Sequence, residues 1–83
     1  MDLRIYISEH CWGCQGAREV AAQMQQLYPK LAVRLVDLDA AEEKPDGIFA
    51  TPTYVLNGRV VSLGNPRPEA LCELIDAELQ PNP

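Results

Sequence analysis

The spacing of apolar residues changes period several times along the chain, and each change marks an element. Leu3, Ile5 and Ile7 alternate with Arg4, Tyr6 and Ser8. A period of two predicts a half-buried strand over Leu3–Ile7. After a short loop from Glu9 to Cys14 the period becomes helical. Ala17, Val20, Ala21, Met24, Leu27 and Tyr28 make one stripe, while Gln15, Arg18, Glu19, Gln23, Gln25 and Gln26 supply most of the wet face. Pro29 stops this helix, because its ring removes a donor and clashes with the preceding turn. Leu31–Leu38 reads as a second strand, with Arg34 among its apolar residues and therefore one face incompletely covered.

Between residues 40 and 50, Ala40 to Lys44 allows a helical turn, but Pro45 and Gly47 prevent a long helix. Thr53–Leu56 and Arg59–Leu63 flank Asn57-Gly58, the preferred pair for a type I′ hairpin turn, in which both residues need positive φ. Gly64 to Pro68 breaks the second strand of the hairpin, and Pro66 and Pro68 suit the first turn of a following helix, where a missing donor does no harm. Leu71, Leu74, Ile75 and Leu79 are its apolar stripe. The order is β-α-β-(short segment)-β-β-α. A helical crossover makes the first two strands parallel, and the hairpin adds two antiparallel strands. The expected fold is α/β, a four-stranded mixed sheet with two main helices on one face.

Composition narrows the function. Eighty-three residues make one domain, with ordinary apolar and charged fractions of 47% and 23%. Lys+Arg number 7 against Asp+Glu 12, a net charge of −5. Nucleic acid and anionic membrane surfaces recruit cationic patches, so neither is an expected partner. No apolar run approaches the roughly 18 residues of a membrane span. Met1–Ser8 lacks a basic start followed by an apolar core, so the expected compartment is the cytoplasm.

Three cysteines carry the candidate chemistry. In a reducing cytosol structural disulfides are rare, and an odd count does not make a disulfide framework. Cys11 and Cys14 lie three apart, where the first strand gives way to the first helix. A helix N-terminus presents free N–H groups and the positive end of the dipole, which favour the reactive thiolate. Cys11, at or just before the first turn, is the better placed of the two. Residues three apart also lie close enough for a disulfide to close with small adjustment. Gly13 keeps the turn unobstructed, and Trp12 would stand beside the thiol as an apolar contact for a partner. His10, when protonated, could favour the thiolate; otherwise it is an exposed loop residue. Two blander readings stand beside this one. The cysteines could simply pack in a core. They could also hold zinc, although His10 and Cys72 are the only further donors of the usual type and neither has finger or ribbon spacing. Cys72 reads as a packing residue of the last helix. Asp37 and Asp39 read as solvated strand-end residues, with a proton-transfer role near the site as the sharper reading.

Residues along nearly the whole chain resemble the thioredoxin/glutaredoxin superfamily. Cys11-Trp12-Gly13-Cys14 follows the first strand and opens the first helix. Thr51-Pro52-Thr53 precedes the third strand, and Asn57-Gly58 and Gly64 lead to the last helix. The resemblance implies a minimal thioredoxin-like domain over residues 1–80, glutaredoxin-like in size, with a short tail at 81–83. It implies that Cys11 attacks and Cys14 resolves; no cofactor and no metal are expected. It implies that Pro52 is cis and faces the Cys11–Cys14 loop, and that Thr51 offers backbone groups to a bound strand. Trp12 and Gly13 complete the substrate-binding set, with His10 auxiliary. Departures are also visible. Trp-Gly replaces the Gly-Pro of thioredoxins and the Pro-Tyr of glutaredoxins, and Ile5 stands where thioredoxins carry a buried carboxylate.

The expected function is therefore a thiol–disulfide oxidoreductase acting on disulfide-bearing proteins. A reductase or glutathione would be the electron donor, and the chain would be a monomer. Two alternatives stay open. One is a module that binds a soft metal or an iron–sulfur cluster through Cys11 and Cys14. The other is an adaptor with little redox turnover that binds a partner strand beside Pro52.

Overall fold

The computed structural model describes residues 1–9, 11–40 and 50–79. The alternating N-terminal segment forms strand β1 (Asp2–Ile7) at the centre of a sheet. On one side it pairs in parallel with β2 (Ala32–Asp37), and on the other antiparallel with β3 (Thr53–Leu56), which pairs in turn with β4 (Arg59–Leu63). The strand order is β2-β1-β3-β4. The two helices are α1 (Cys14–Leu27) and α2 (Pro68–Leu79). This is the expected mixed four-stranded sheet with two helices.

Register explains which face is buried. Leu3, Ile5 and Ile7 of β1 share a face with Val33 of β2 and with Tyr54 and Leu56 of β3. A single core joins them to Ala17, Val20, Ala21 and Met24 of α1 and to Leu71 and Ile75 of α2, so both helices cover this face. On the opposite face Arg4 pairs with Arg34, and both are exposed. That accounts for arginines in otherwise apolar strands. Tyr6, Thr53 and Val55 also lie on that face and are buried.

The hairpin turn has the anticipated backbone, with φ of 51° at Asn57 and 82° at Gly58. Asn57 also ties the turn to the start of β1. The Asp2 N–H donates to its Oδ1 (3.0 Å), and its own N–H donates to the Asp2 carbonyl (2.9 Å). Arg59 beside the turn reaches Glu78 of α2 at 2.9 Å.

Several boundaries differ from expectation. The second strand is shorter, because Leu31 turns into the core before pairing begins, whereas the Leu38 N–H still reaches the Ile7 carbonyl at 2.9 Å. Pro68 opens α2, but Pro66 lies ahead of it. Leu27, Leu74 and Leu79 are exposed instead of completing their stripes. Tyr28, the last residue of the expected stripe, does pack against the core. Leu27 and Leu79 instead line an apolar hollow with Met1 and Leu31, where α1 ends. The helical turn expected around residues 41–44 and the boundary at 80/81 lie outside the described residues.

Candidate redox site

β1 delivers the chain to the site. The Glu9 N–H donates to the Asp39 carboxylate at 2.6 Å, and the Asp39 N–H donates to Asp37 Oδ1 at 2.9 Å. These bonds hold the exit of β1 against the end of β2, and they make Asp39 an anchor of the loop. Ser8 and Thr51 meet through their hydroxyls at 2.8 Å, which joins the two segments that flank the cysteines.

Cys11 and Cys14 are joined as a disulfide, with S–S 2.11 Å, a χ3 of 82° and Cα atoms 5.3 Å apart. The Cys14 N–H closes the turn onto the Cys11 carbonyl at 3.3 Å. Helix α1 begins at Cys14 itself, so Cys11 stands three residues ahead of it, at the edge of the expected position. Gly13 is the N-cap. It has no side chain to occupy the free N–H groups, and no acid lies in the first turn. The positive end of α1 is therefore left to the sulfurs. The two cysteines differ in access. Cys14 is 4% exposed and belongs to the core, while Cys11 is only half-buried and packs against its rim. Ser8, Glu9, Gln15, Arg18 and Asp37 line a polar groove of about 460 Å³ beside the pair.

Trp12 projects wholly into solvent. Thr51–Pro52 is a cis peptide, as the resemblance implied, and Pro52 lies against the cysteine turn. A Cβ at Gly13 would come within 3.2 Å of Pro52 Cδ and within 3.2 Å of Asn65 Nδ2, so a side chain there would meet two neighbours at once. The Gly64 N–H donates to the Pro52 carbonyl at 2.8 Å and holds the proline segment against the end of β4. His10 lies outside the described residues.

Sequence reasoning missed Asn65 and Tyr54. The Tyr54 hydroxyl donates to Asn65 Oδ1 at 2.7 Å, and Asn65 Nδ2 donates to the Gly13 carbonyl at 2.8 Å. Tyr54 is fully buried, and burial pushes its phenol up to about 12. One signal was available: a tyrosine on the helix-facing side of a strand needs a partner for its hydroxyl. Cys72 is unpaired and packs between the helices, its Sγ 3.9 Å from Met24 Sδ. Among the described residues, no three His, Cys, Asp or Glu side chains gather as a metal would require, and no helix is long and apolar enough to cross a membrane.

A scan against protein-family models matches none. The chain is, however, similar to a thioredoxin of Methanocaldococcus jannaschii, at 32% identity over an alignment 83 positions long that covers 95% of this chain and 96% of that protein. A likeness running almost end to end, together with a cysteine pair set where β1 gives way to α1, means that the chain belongs to the thioredoxin family.

Proposed function

We propose that the protein is a thiol–disulfide oxidoreductase that reduces disulfides in other proteins through Cys11 and Cys14. The observation that carries the reading is the asymmetry of the bonded pair, with Cys11 accessible at the rim and Cys14 buried at the first position of α1. In the reduced enzyme the Cys11 thiolate attacks one sulfur of a partner disulfide. A mixed disulfide forms, and the partner's other sulfur leaves as a thiolate that takes up a proton. Cys14 then loses its proton and attacks the Cys11 sulfur. The second partner thiolate leaves, and the Cys11–Cys14 disulfide remains. Two electrons pass to the partner, and an external dithiol or thiol (a reductase or glutathione) restores the pair.

Binding follows the same asymmetry. The fully exposed Trp12 indole offers an apolar surface next to the attacking sulfur, as protein partners require. At Gly13 the space that a side chain would take is held by Pro52 and Asn65, which lets the proline lie close against the cysteine turn. Thr51 supplies the adjoining backbone for pairing. The groove beside the pair is polar and open to solvent, which suits a protein segment better than an enclosed small molecule.

The test measures reduction of a protein disulfide in the presence of excess dithiol. Cys11→Ser is expected to abolish activity. Cys14→Ser is expected to accumulate mixed disulfide, and Cys72→Ser to leave the rate within about twofold, because its thiol packs between the helices. Loss of activity in Cys72→Ser with retention in Cys11→Ser would overturn the assignment.

A further inference from the structure

We propose that Asn65 is a positioning residue of the redox pair, a carboxamide clamp that holds the Cys11–Cys14 turn in the conformation needed for disulfide closure. The inference rests on the redox reading above and concerns how that same pair is poised.

The clamp is defined by its two ends. Asn65 lies in the loop between β4 and α2. Its Nδ2 donates to the Gly13 carbonyl at 2.8 Å, and its Oδ1 accepts from the Tyr54 hydroxyl at 2.7 Å. A carbonyl can only accept, so the amide nitrogen must face Gly13; the oxygen then faces the phenol. The Gly13 carbonyl also accepts the Ala17 N–H at 3.0 Å, the first bond of α1. Its two lone pairs serve the helix and the clamp together. Gly13 separates Trp12 from Cys14, so the clamp acts directly on the turn that joins the sulfurs.

The far end of the clamp is rigid. Tyr54 is fully buried in β3 and pairs with Ile5 at the centre of the sheet. Through its hydroxyl, Asn65 connects the N-terminus of α1 to the most constrained part of the molecule. Two glycines leave room for the carboxamide. A Cβ at Gly16 would fall 2.9 Å from Asn65 Nδ2, and one at Gly13 would fall 3.2 Å from it. The structure thus gives Gly16, a glycine inside the first turn of a helix, a specific reason to lack a side chain.

The consequence is chemical. When the disulfide opens, the two thiols gain freedom in proportion to the looseness of the turn between them. A clamped turn keeps Cys14 near Cys11, which favours ring closure over the open dithiol. Removing the clamp leaves the disulfide easier to reduce and lets a mixed disulfide on Cys11 persist longer before Cys14 resolves it. One hydrogen bond of this kind corresponds to roughly a three- to tenfold change in the exchange equilibrium, about 15–30 mV for a two-electron couple.

The experiment equilibrates the protein with oxidised and reduced dithiothreitol, traps thiols by alkylation and weighs the products. Wild type, Asn65→Ala, Gly16→Ala, Tyr54→Phe and the double variant Asn65→Ala/Tyr54→Phe are compared, with thermal melts to establish folding. Asn65→Ala and Gly16→Ala are each expected to weaken the disulfide roughly three- to tenfold. Tyr54→Phe is expected to shift it the same way by less, and the double variant to go no further than Asn65→Ala alone. The proposal is overturned if folded Asn65→Ala and Gly16→Ala stay within about twofold of wild type. It is also overturned if the Tyr54→Phe and Asn65→Ala effects add in full. Should wild type form no Cys11–Cys14 disulfide, the redox reading itself fails and takes the clamp with it; a normal wild type with unaltered variants sinks the clamp alone.

Discussion

Tyr54 shows how one residue can be read twice. Its ring fills the core between the sheet and the helices, and its hydroxyl anchors Asn65. The phenol carries no charge when protonated, and burial raises it from 10.0 to about 12. A group raised in this way stabilises the fold fully below the unfolded value and loses that contribution as pH rises through the folded one. Stability is therefore expected to fall between about pH 10 and pH 12, as unfolding is increasingly coupled to loss of the Tyr54 proton. Denaturant titrations across that window will show it, and Tyr54→Phe will have a shallower decline. At this scale the cysteine pair was legible from its place at a strand-to-helix junction, whereas the cis peptide at Pro52 was legible only through the family resemblance. Asn65 was not. Between Gly64 and Pro66 an asparagine reads as turn chemistry, and nothing local reveals that its amide meets residues 52 positions away.

Elements were legible where the apolar period was unbroken. β1 and the core half of α1 follow the alternation and the stripe, and the hairpin follows from its two turn residues. Leu27, Leu74 and Leu79 mark where periodicity overreached. Leu27 and Leu79 are the last residues of their helices, beyond the reach of the core, and Leu74, in the middle of α2, lies at the edge of the stripe that Leu71 and Ile75 bury. Beside the shared core, polar atoms also join the end of α1 to α2. The Tyr28 hydroxyl donates to Asp76 at 2.7 Å, and that bond, with burial second, raises the phenol above its ordinary value. The hairpin offers the cleanest test at this scale. Gly58 holds φ at 82°, and a Cβ there would meet nothing within 4 Å. Gly58→Ala therefore costs backbone conformation alone, about 1–2 kcal/mol, and lowers the urea midpoint without changing the slope.

As a whole, the described part of the molecule is joined by one hydrophobic cluster on the helix-covered face of the sheet. Leu71 and Ile75 are the buried apolar positions through which α2 joins it, and both are fully buried. A shared core makes their loss global. Ile75→Ala is expected to cost about 2–4 kcal/mol in urea unfolding. Leu79→Ala, at a position 53% exposed on the same helix, is expected to stay within about 0.5 kcal/mol. Equal losses at the two positions would mean that α2 is held by something other than the core. The overall topology was readable because order, parallel crossover and hairpin leave few ways to assemble four strands. That Arg4 and Arg34 would lie on the face without the helices was also readable, but that they stand opposite each other is known only from the strand register.

Trp12 has a consequence of another kind. It is the chain's single tryptophan, it follows Cys11 directly in the sequence, and it stands entirely in water. Fluorescence excited at the indole therefore comes from one place. A disulfide quenches a nearby indole more than a thiol pair does, so emission is expected to brighten when dithiothreitol opens the Cys11–Cys14 bond. A docked partner that excludes water from the ring shifts the emission to shorter wavelength. Two independent optical signals thus separate electron transfer from binding, with no label attached to the protein.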